Sequence, residues 1–262
     1  MPPITPGYLC TGDGDAVVLL HSSLSSKNQW KGLIPLLAGR YRVIAVDLYG
    51  YGETPFPPDK AAFSLRDEVE LVREVLEREL PAGAVFHLVG HSYGGAVALS
   101  FCHYYPESVR SVCAFEPVAF HLLDLAEPQL STVLQMAQTL ERLGAQGKPE
   151  LAAETFLDYW GGPGTFAAYP ARLKEDFAAR TPKLRLDFQA ITRTAITVED
   201  YRRLQLPVHL IVGERSRPPA LFVTEVLSRT LPHCTLHKVP AGHLAPFTHP
   251  QLVNPLIAQT LR

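Results

Sequence analysis

Gly90-His91-Ser92-Tyr93-Gly94 places a hydroxyl between two glycines, each two residues away. The run before it, Ala84-Val85-Phe86-His87-Leu88-Val89, is apolar and suits a strand, and Ala96-Val97-Ala98-Leu99 after it reads as helix. A strand that turns this sharply into a helix holds its apical residue in a strained backbone conformation, and small flanking residues let strand and helix approach closely. The Ser92 hydroxyl then stands above the sheet, with a helix N-terminus behind it that favours developing negative charge. Such a serine is a candidate nucleophile for acyl transfer. The plainer alternative is a glycine-rich turn in which Ser92 merely caps the helix.

A serine hydroxyl is a weak nucleophile and needs a base, usually a histidine oriented by a carboxylate. Of the 10 histidines, His243 has the setting a base requires. It lies in Val239-Pro240-Ala241-Gly242-His243-Leu244, after a short strand over 235–239 and before a C-terminal helix from about Pro250. His249 adjoins Pro250 at that helix start, where capping accounts for it.

In chain order, five segments resemble the motifs of the α/β-hydrolase family, from about Tyr8 to the C-terminus. They are Val17-Val18-Leu19-Leu20-His21-Ser22-Ser23, then Trp30, then Asp47-Leu48-Tyr49-Gly50-Tyr51-Gly52-Glu53-Thr54, which is similar to the family's D-x-x-G-x-G-x-S, then the turn at Ser92, and last Gly242-His243. The resemblance implies an α/β fold with a mostly parallel, doubly wound sheet and a helical cap inserted between the sixth and seventh core strands. It implies Ser92 as nucleophile, His243 as base, and an oxyanion hole made by the N–H groups of Ser23 and Tyr93. Two departures bear on this. The family's histidine-glycine pair reads His21-Ser22 here, and the Ser22 Cβ restricts the backbone. The hydroxyls of Ser22, Ser23, Ser25 and Ser26 could donate to a substrate or satisfy the loop's own backbone. The family's acid follows a late strand in a G-x-x-D loop, whereas Gly213-Glu214-Arg215-Ser216 ends in a serine. Glu116, which ends the run Ser111–Phe115 before Pro117, is the favoured substitute and keeps the order serine, acid, histidine. Glu214, Asp124 or no acid at all are the alternatives.

The elements that must position these groups alternate between strand and helix, as a parallel sheet covered on both faces requires. Strands are expected at 8–10, 16–21, 42–47, 85–89, 111–115, 208–212 and 235–239. Helices are expected at 30–37, 64–79, 218–231 and 250–261. Ser64 and Asp67 form a capping pair, and Leu65, Val69, Val72 and Leu76 make one apolar stripe. The 90 residues 117–206 far exceed an ordinary connection and carry helical patterns at 130–143, 150–159 and 172–179. The expected organisation is a core of 1–116 and 207–262 with a cap over 117–206. The insertion is rich in aromatics: Phe120, Phe156, Tyr159, Trp160, Phe166, Tyr169 and Phe177 divide between its own core and a pocket.

Composition narrows the function classes. The chain has 262 residues, 47% hydrophobic and 19% charged, as expected of one globular domain. A formal charge of −2 gives no drive toward nucleic acid or an anionic membrane. No apolar run approaches a membrane span of about 20 residues, and the N-terminus lacks a secretory pattern. Cys10, Cys102, Cys113 and Cys234 are scattered, without metal or redox spacing, which suits a reducing, cytoplasmic setting. No cofactor or metal is expected. The partner expected is a small molecule: a partly hydrophobic ester, thioester or carbonyl-adjacent carbon–carbon bond. The competing classes are a non-hydrolytic binding protein, and a lyase or cofactor-free oxidation on the same Ser–His scaffold.

Overall fold

A computed structural model describes residues 4–124 and 126–261. Seven strands form one sheet: β1 (Tyr8–Thr11), β2 (Asp15–Leu20), β3 (Tyr41–Val46), β4 (Phe86–His91), β5 (Val109–Phe115), β6 (Val208–Gly213) and β7 (Cys234–Val239). Their order is β1-β3-β2-β4-β5-β6-β7, with β1 antiparallel to β3 and every other pairing parallel. The chain therefore reverses its direction of travel at β2, between β3 and β4. Open α/β sheets bind ligands outside the carboxyl ends of the strands at such a switch point.

The helices are α1 (Ile34–Leu37), α2 (Leu65–Glu79), α3 (Tyr93–Tyr104), α4 (Pro128–Ala145), α5 (Pro149–Gly161), α6 (Ala171–Arg193), α7 (Val198–Arg202), α8 (Pro218–Thr230), α9 (Ala245–Thr248) and α10 (Pro250–Thr260). Strand residues alternate between two cores. Val18, Leu20, Ile44 and Leu88 pack with Val69 and Val72 of α2, Val97 of α3 and Leu227 of α8. Val17, Leu19, Val43, Val89 and Ile211 pack on the opposite face with Trp30, Leu37, Val253 and Ile257. With both faces covered, the strands read as continuous apolar runs. At the start of α2, Ser64 N and Oγ each donate to Asp67 Oδ2 at 2.8 Å, the expected capping pair. All four cysteines are free, and burial pushes the Cys113 thiol up to about 12. Among the described residues, no helix is long and apolar enough to cross a membrane.

The long insertion leaves the sheet after β5 and returns at β6, so it lies between the fifth and sixth strands. The resemblance counts six core strands before the insertion; five of them precede it among the described residues, and its expected bounds, 117–206, fall between β5 and β6. Helix α6 runs 14 residues past the expected end at Ala179 and contains Pro182. A proline there cannot donate to the Ala178 carbonyl. Thr181 Oγ1 donates to that carbonyl at 2.8 Å instead, which lets the helix continue.

Candidate active site

The ends of β2, β4, β5 and β7 bring the candidate residues together. Ser92 sits between β4 and α3 with φ 53° and ψ −114°. Its N–H donates to Phe115 O at 2.9 Å, and its carbonyl accepts from Ala96 N and Val118 N. The flanking glycines are sterically required. A Cβ on Gly90 would lie 2.5 Å from Gly94 O, and one on Gly94 would lie 2.3 Å from Leu20 O. The described non-glycine residues with positive φ are Leu24, Ser92 and Glu116, and all three follow strand ends at this site. Backbone strain of this kind persists only where the surroundings hold it, and it clusters at functional sites.

Ser92 Oγ lies 3.0 Å from His243 Nε2, and His243 Nδ1 lies 2.6 Å from Glu116 Oε2. A carboxylate only accepts, so Nδ1 carries the proton and Nε2 is free to accept from the serine. Glu116 is fully buried, and its other oxygen accepts from Gly213 N at 2.6 Å and Ser216 Oγ at 2.5 Å. Ser216, which stands where the family's aspartate is usual, is thus a donor to Glu116. Glu214 and Asp124 are both exposed; Asp124 accepts from Ala126 N, and neither is a partner of His243.

The neighbouring histidines are held neutral. Burial pushes His21 down to about 4 and holds His91 well below its ordinary value. His21 Nε2 accepts from Leu48 N at 3.0 Å, so its Nδ1 donates to Ser22 O at 2.7 Å. His91 Nε2 donates to His243 O at 3.0 Å, leaving Nδ1 to accept from Gln29 Nε2 at 3.2 Å. Gln29 Oε1 accepts from both N and Oγ of Ser22 at 3.0 Å. His249 is at the N-cap of α10 but makes no side-chain cap bond; Thr248 Oγ1 partners its ring at 2.8 Å.

Ser23 and Tyr93 stand where an oxyanion hole would need them, after β2 and at the first position of α3. Neither N–H has an intramolecular acceptor among the described residues. Of the loop hydroxyls, Ser22 turns to Gln29, Ser26 caps the turn at Asn28 N, and Ser23 donates to Asp187 of α6. That last partner is a side chain of the insertion, not the loop's own backbone.

A cavity of about 690 Å³ opens onto Ser92 and His243. From the insertion, Phe156, Leu157, Trp160, Tyr169 and Phe177 line it, with Asp176 and Arg180 as charged members. Phe120 and Phe166 are buried away from it. The Trp160 ring lies over His243, centroids 4.2 Å apart and planes 32° off parallel. Sequence reasoning did not single out this contact, nor the buried Lys183–Glu68 pair. Glu68 left a trace: it is a charge beside the apolar stripe of α2. No group of three or more metal-ligating side chains is gathered among the described residues.

The chain is similar to known proteins over its whole length. It is 28% identical to the pimeloyl-[acyl-carrier protein] methyl ester esterase of Methylococcus capsulatus, over 94% of both chains. A fluoroacetate dehalogenase of Burkholderia sp is 34% identical, but only over 46% of this chain and 40% of its own length. A thermophilic esterase of Thermogutta terrifontis superposes with a TM-score of 0.81, covering 99% of this chain and 93% of its own, at 22% identity. Residues 17–256 match the family model described as "Alpha/beta hydrolase family", and with the sheet order and the Ser92 turn this establishes that the chain belongs to the α/β-hydrolase family.

Proposed function

We propose that this protein is a serine hydrolase that cleaves a small to medium, partly hydrophobic acyl compound through an acyl-enzyme. Esters, thioesters and carbonyl-adjacent carbon–carbon bonds are the substrate classes. The observation that carries the reading is the continuous array from Glu116 Oε2 to His243 Nδ1, 2.6 Å, and from His243 Nε2 to Ser92 Oγ, 3.0 Å. Ser92 is the nucleophile, His243 the base and Glu116 the acid. His243 takes the hydroxyl proton as Oγ bonds to the acyl carbon. The Ser23 and Tyr93 N–H groups stabilise the oxyanion, an effect of about 3–4 kcal/mol per donor in measured cases. The tetrahedral adduct collapses, the bond to the leaving group breaks, and His243 returns the proton to that group. Water then repeats the sequence on the acyl-enzyme and releases the acid. A serine at the apex, where haloalkane and epoxide chemistry on this fold uses an aspartate, favours acyl transfer. Residues 117–206 serve as a cap on the core of 1–116 and 207–262, and their aromatic lining favours an uncharged, apolar acyl or leaving group.

The test is a fluorophosphonate probe read by intact mass and peptide mapping. Labelling is expected at Ser92 and is lost in Ser92→Ala. With a panel of aryl esters, His243→Ala should lower turnover by at least ~10³-fold while the fold is retained. A wild-type protein that takes no label would favour a binding protein on this fold and overturn the reading.

A further inference from the structure

Behind the oxyanion loop lies a buried group of charges that the reaction steps above do not use. Lys183 Nζ is fully enclosed, 3.0 Å from Glu68 Oε1 and in contact with Asp187 Oδ1. Glu68 Oε1 also accepts from Tyr93 Oη at 3.0 Å, and Glu68 Oε2 from Tyr49 N at 3.1 Å. Asp187 Oδ2 accepts from Ser23 Oγ at 2.5 Å and Tyr51 Oη at 2.6 Å. Burial opposes the Lys183 charge, yet the two carboxylates hold its pKa above the ordinary value. Replacing a buried ion cluster with apolar side chains is often neutral or stabilising, so stability alone does not explain one. Its placement is more telling. The cluster terminates on the side chains of Ser23 and Tyr93, the two residues whose backbone N–H groups would face the oxyanion.

We propose that Lys183, Asp187 and Glu68 are positioning residues that fix the two donors of the oxyanion hole relative to each other. The inference rests on the serine-hydrolase reading. Asp187 anchors the loop after β2 through Ser23 Oγ. Glu68 anchors the first turn of α3 through Tyr93 Oη. The single ammonium bridges the two carboxylates and sets their separation. An oxyanion hole works when its donors sit about 2.7–3.1 Å from the developing oxygen, and a misplacement of about 1 Å can cost on the order of 10²-fold in rate. Lys183 and Asp187 belong to α6, so the hole is complete only when the inserted helices are seated on the sheet.

The experiment measures the rate at which a fluorophosphonate phosphonylates Ser92, because attack at phosphorus puts negative charge on an oxygen that needs the same donors. Ser23→Ala and Tyr93→Phe keep both N–H groups and remove only the hydroxyl anchors. Each should slow labelling by about 10–100-fold with little change in Tm. Ser23→Thr, which restores a hydroxyl, should recover most of the rate. Ser23→Ala combined with Asp187→Asn should be slower than Ser23→Ala alone, because Asp187 also holds the ammonium that bridges to Glu68. Lys183→Met should lose rate with both donors disturbed, and if it fails to fold the hydroxyl variants decide. Wild-type labelling with Ser23→Ala and Tyr93→Phe at the wild-type rate, whatever their Tm, would overturn this inference alone. Failure of the wild type to label would overturn the serine-hydrolase reading beneath it.

Discussion

Glu116 occupies an unusual backbone position, φ 43° for a non-glycine residue immediately before a proline, and it is held there by three donors. The strain is offset by what it achieves: one carboxylate oxygen is fixed by Gly213 N and Ser216 Oγ while the other faces His243 Nδ1. Glu116→Gln should therefore lower turnover of an aryl ester by about 10²–10⁴-fold, because the amide disturbs the tautomer and no longer stabilises the imidazolium. Glu214→Gln, on an exposed side chain, should change it by less than about 2-fold. Adding Ser216→Asp to Glu116→Gln should restore part of the loss, since that loop already directs a side chain at the same carboxylate site. Equal effects of the two glutamine variants would remove Glu116 from the acid role. At this scale the sequence was legible where chemistry is tied to spacing. Gly90 and Gly94 marked Ser92, Gly242 marked His243, and the serine at 216 itself pointed to another acid. The hydrogen bond from Ser216 to Glu116 was not legible, because it depends on how two loops 100 residues apart meet.

Helix α5 presents the ring of Trp160 to the imidazole of His243. An indole face attracts a cation by about 0.5–2 kcal/mol, so in the proposed acyl transfer it would favour the imidazolium over the neutral ring. Trp160→Ala should lower kcat by about 3–30-fold, with Trp160→Phe losing less. An unchanged kcat in Trp160→Ala would mean the ring only fills space. The elements were unevenly readable. The stripe Leu65, Val69, Val72 and Leu76 and the pair Ser64 and Asp67 defined α2 closely, because local caps and one-sided burial agree. The end of α6 was missed because Pro182 reads as a breaker, and only Thr181 in the folded helix makes good the lost donor. The division of the inserted aromatics between core and cavity depends on how α4, α5 and α6 pack on one another, which periodicity does not encode.

At the scale of the whole molecule, burial sets the ionisation of histidines in several parts of the fold. His21 and His91 are fully buried, and His121 lies against Tyr201 with a 3.3 Å contact. Burial pushes His21 and His121 down to about 4 and holds His91 well below its ordinary value. Unfolded, each would take up a proton near pH 6.5. In the window between about 4 and 6.5 the unfolded chain therefore binds more protons than the folded one, and stability falls as pH falls. Each histidine contributes a loss of about 1.4 kcal/mol per pH unit in that window, and below the folded value its contribution to the slope ends. Glu68 works in the opposite sense, because burial raises its pKa and the folded state holds its proton more readily. One carboxyl does not cancel these histidines, and total stabilities are only about 5–15 kcal/mol. The urea midpoint should thus hold steady from pH 8 to 7 and drop steeply from pH 6.5 toward 5. The slope of unfolding free energy on pH in that lower range should correspond to at least about two protons, with His87 and His209 adding to it because burial lowers them too. A midpoint that is flat from pH 7 to 5 would mean that these rings accept protons in the folded state, and would require the cleft to open to water around His21 and His91.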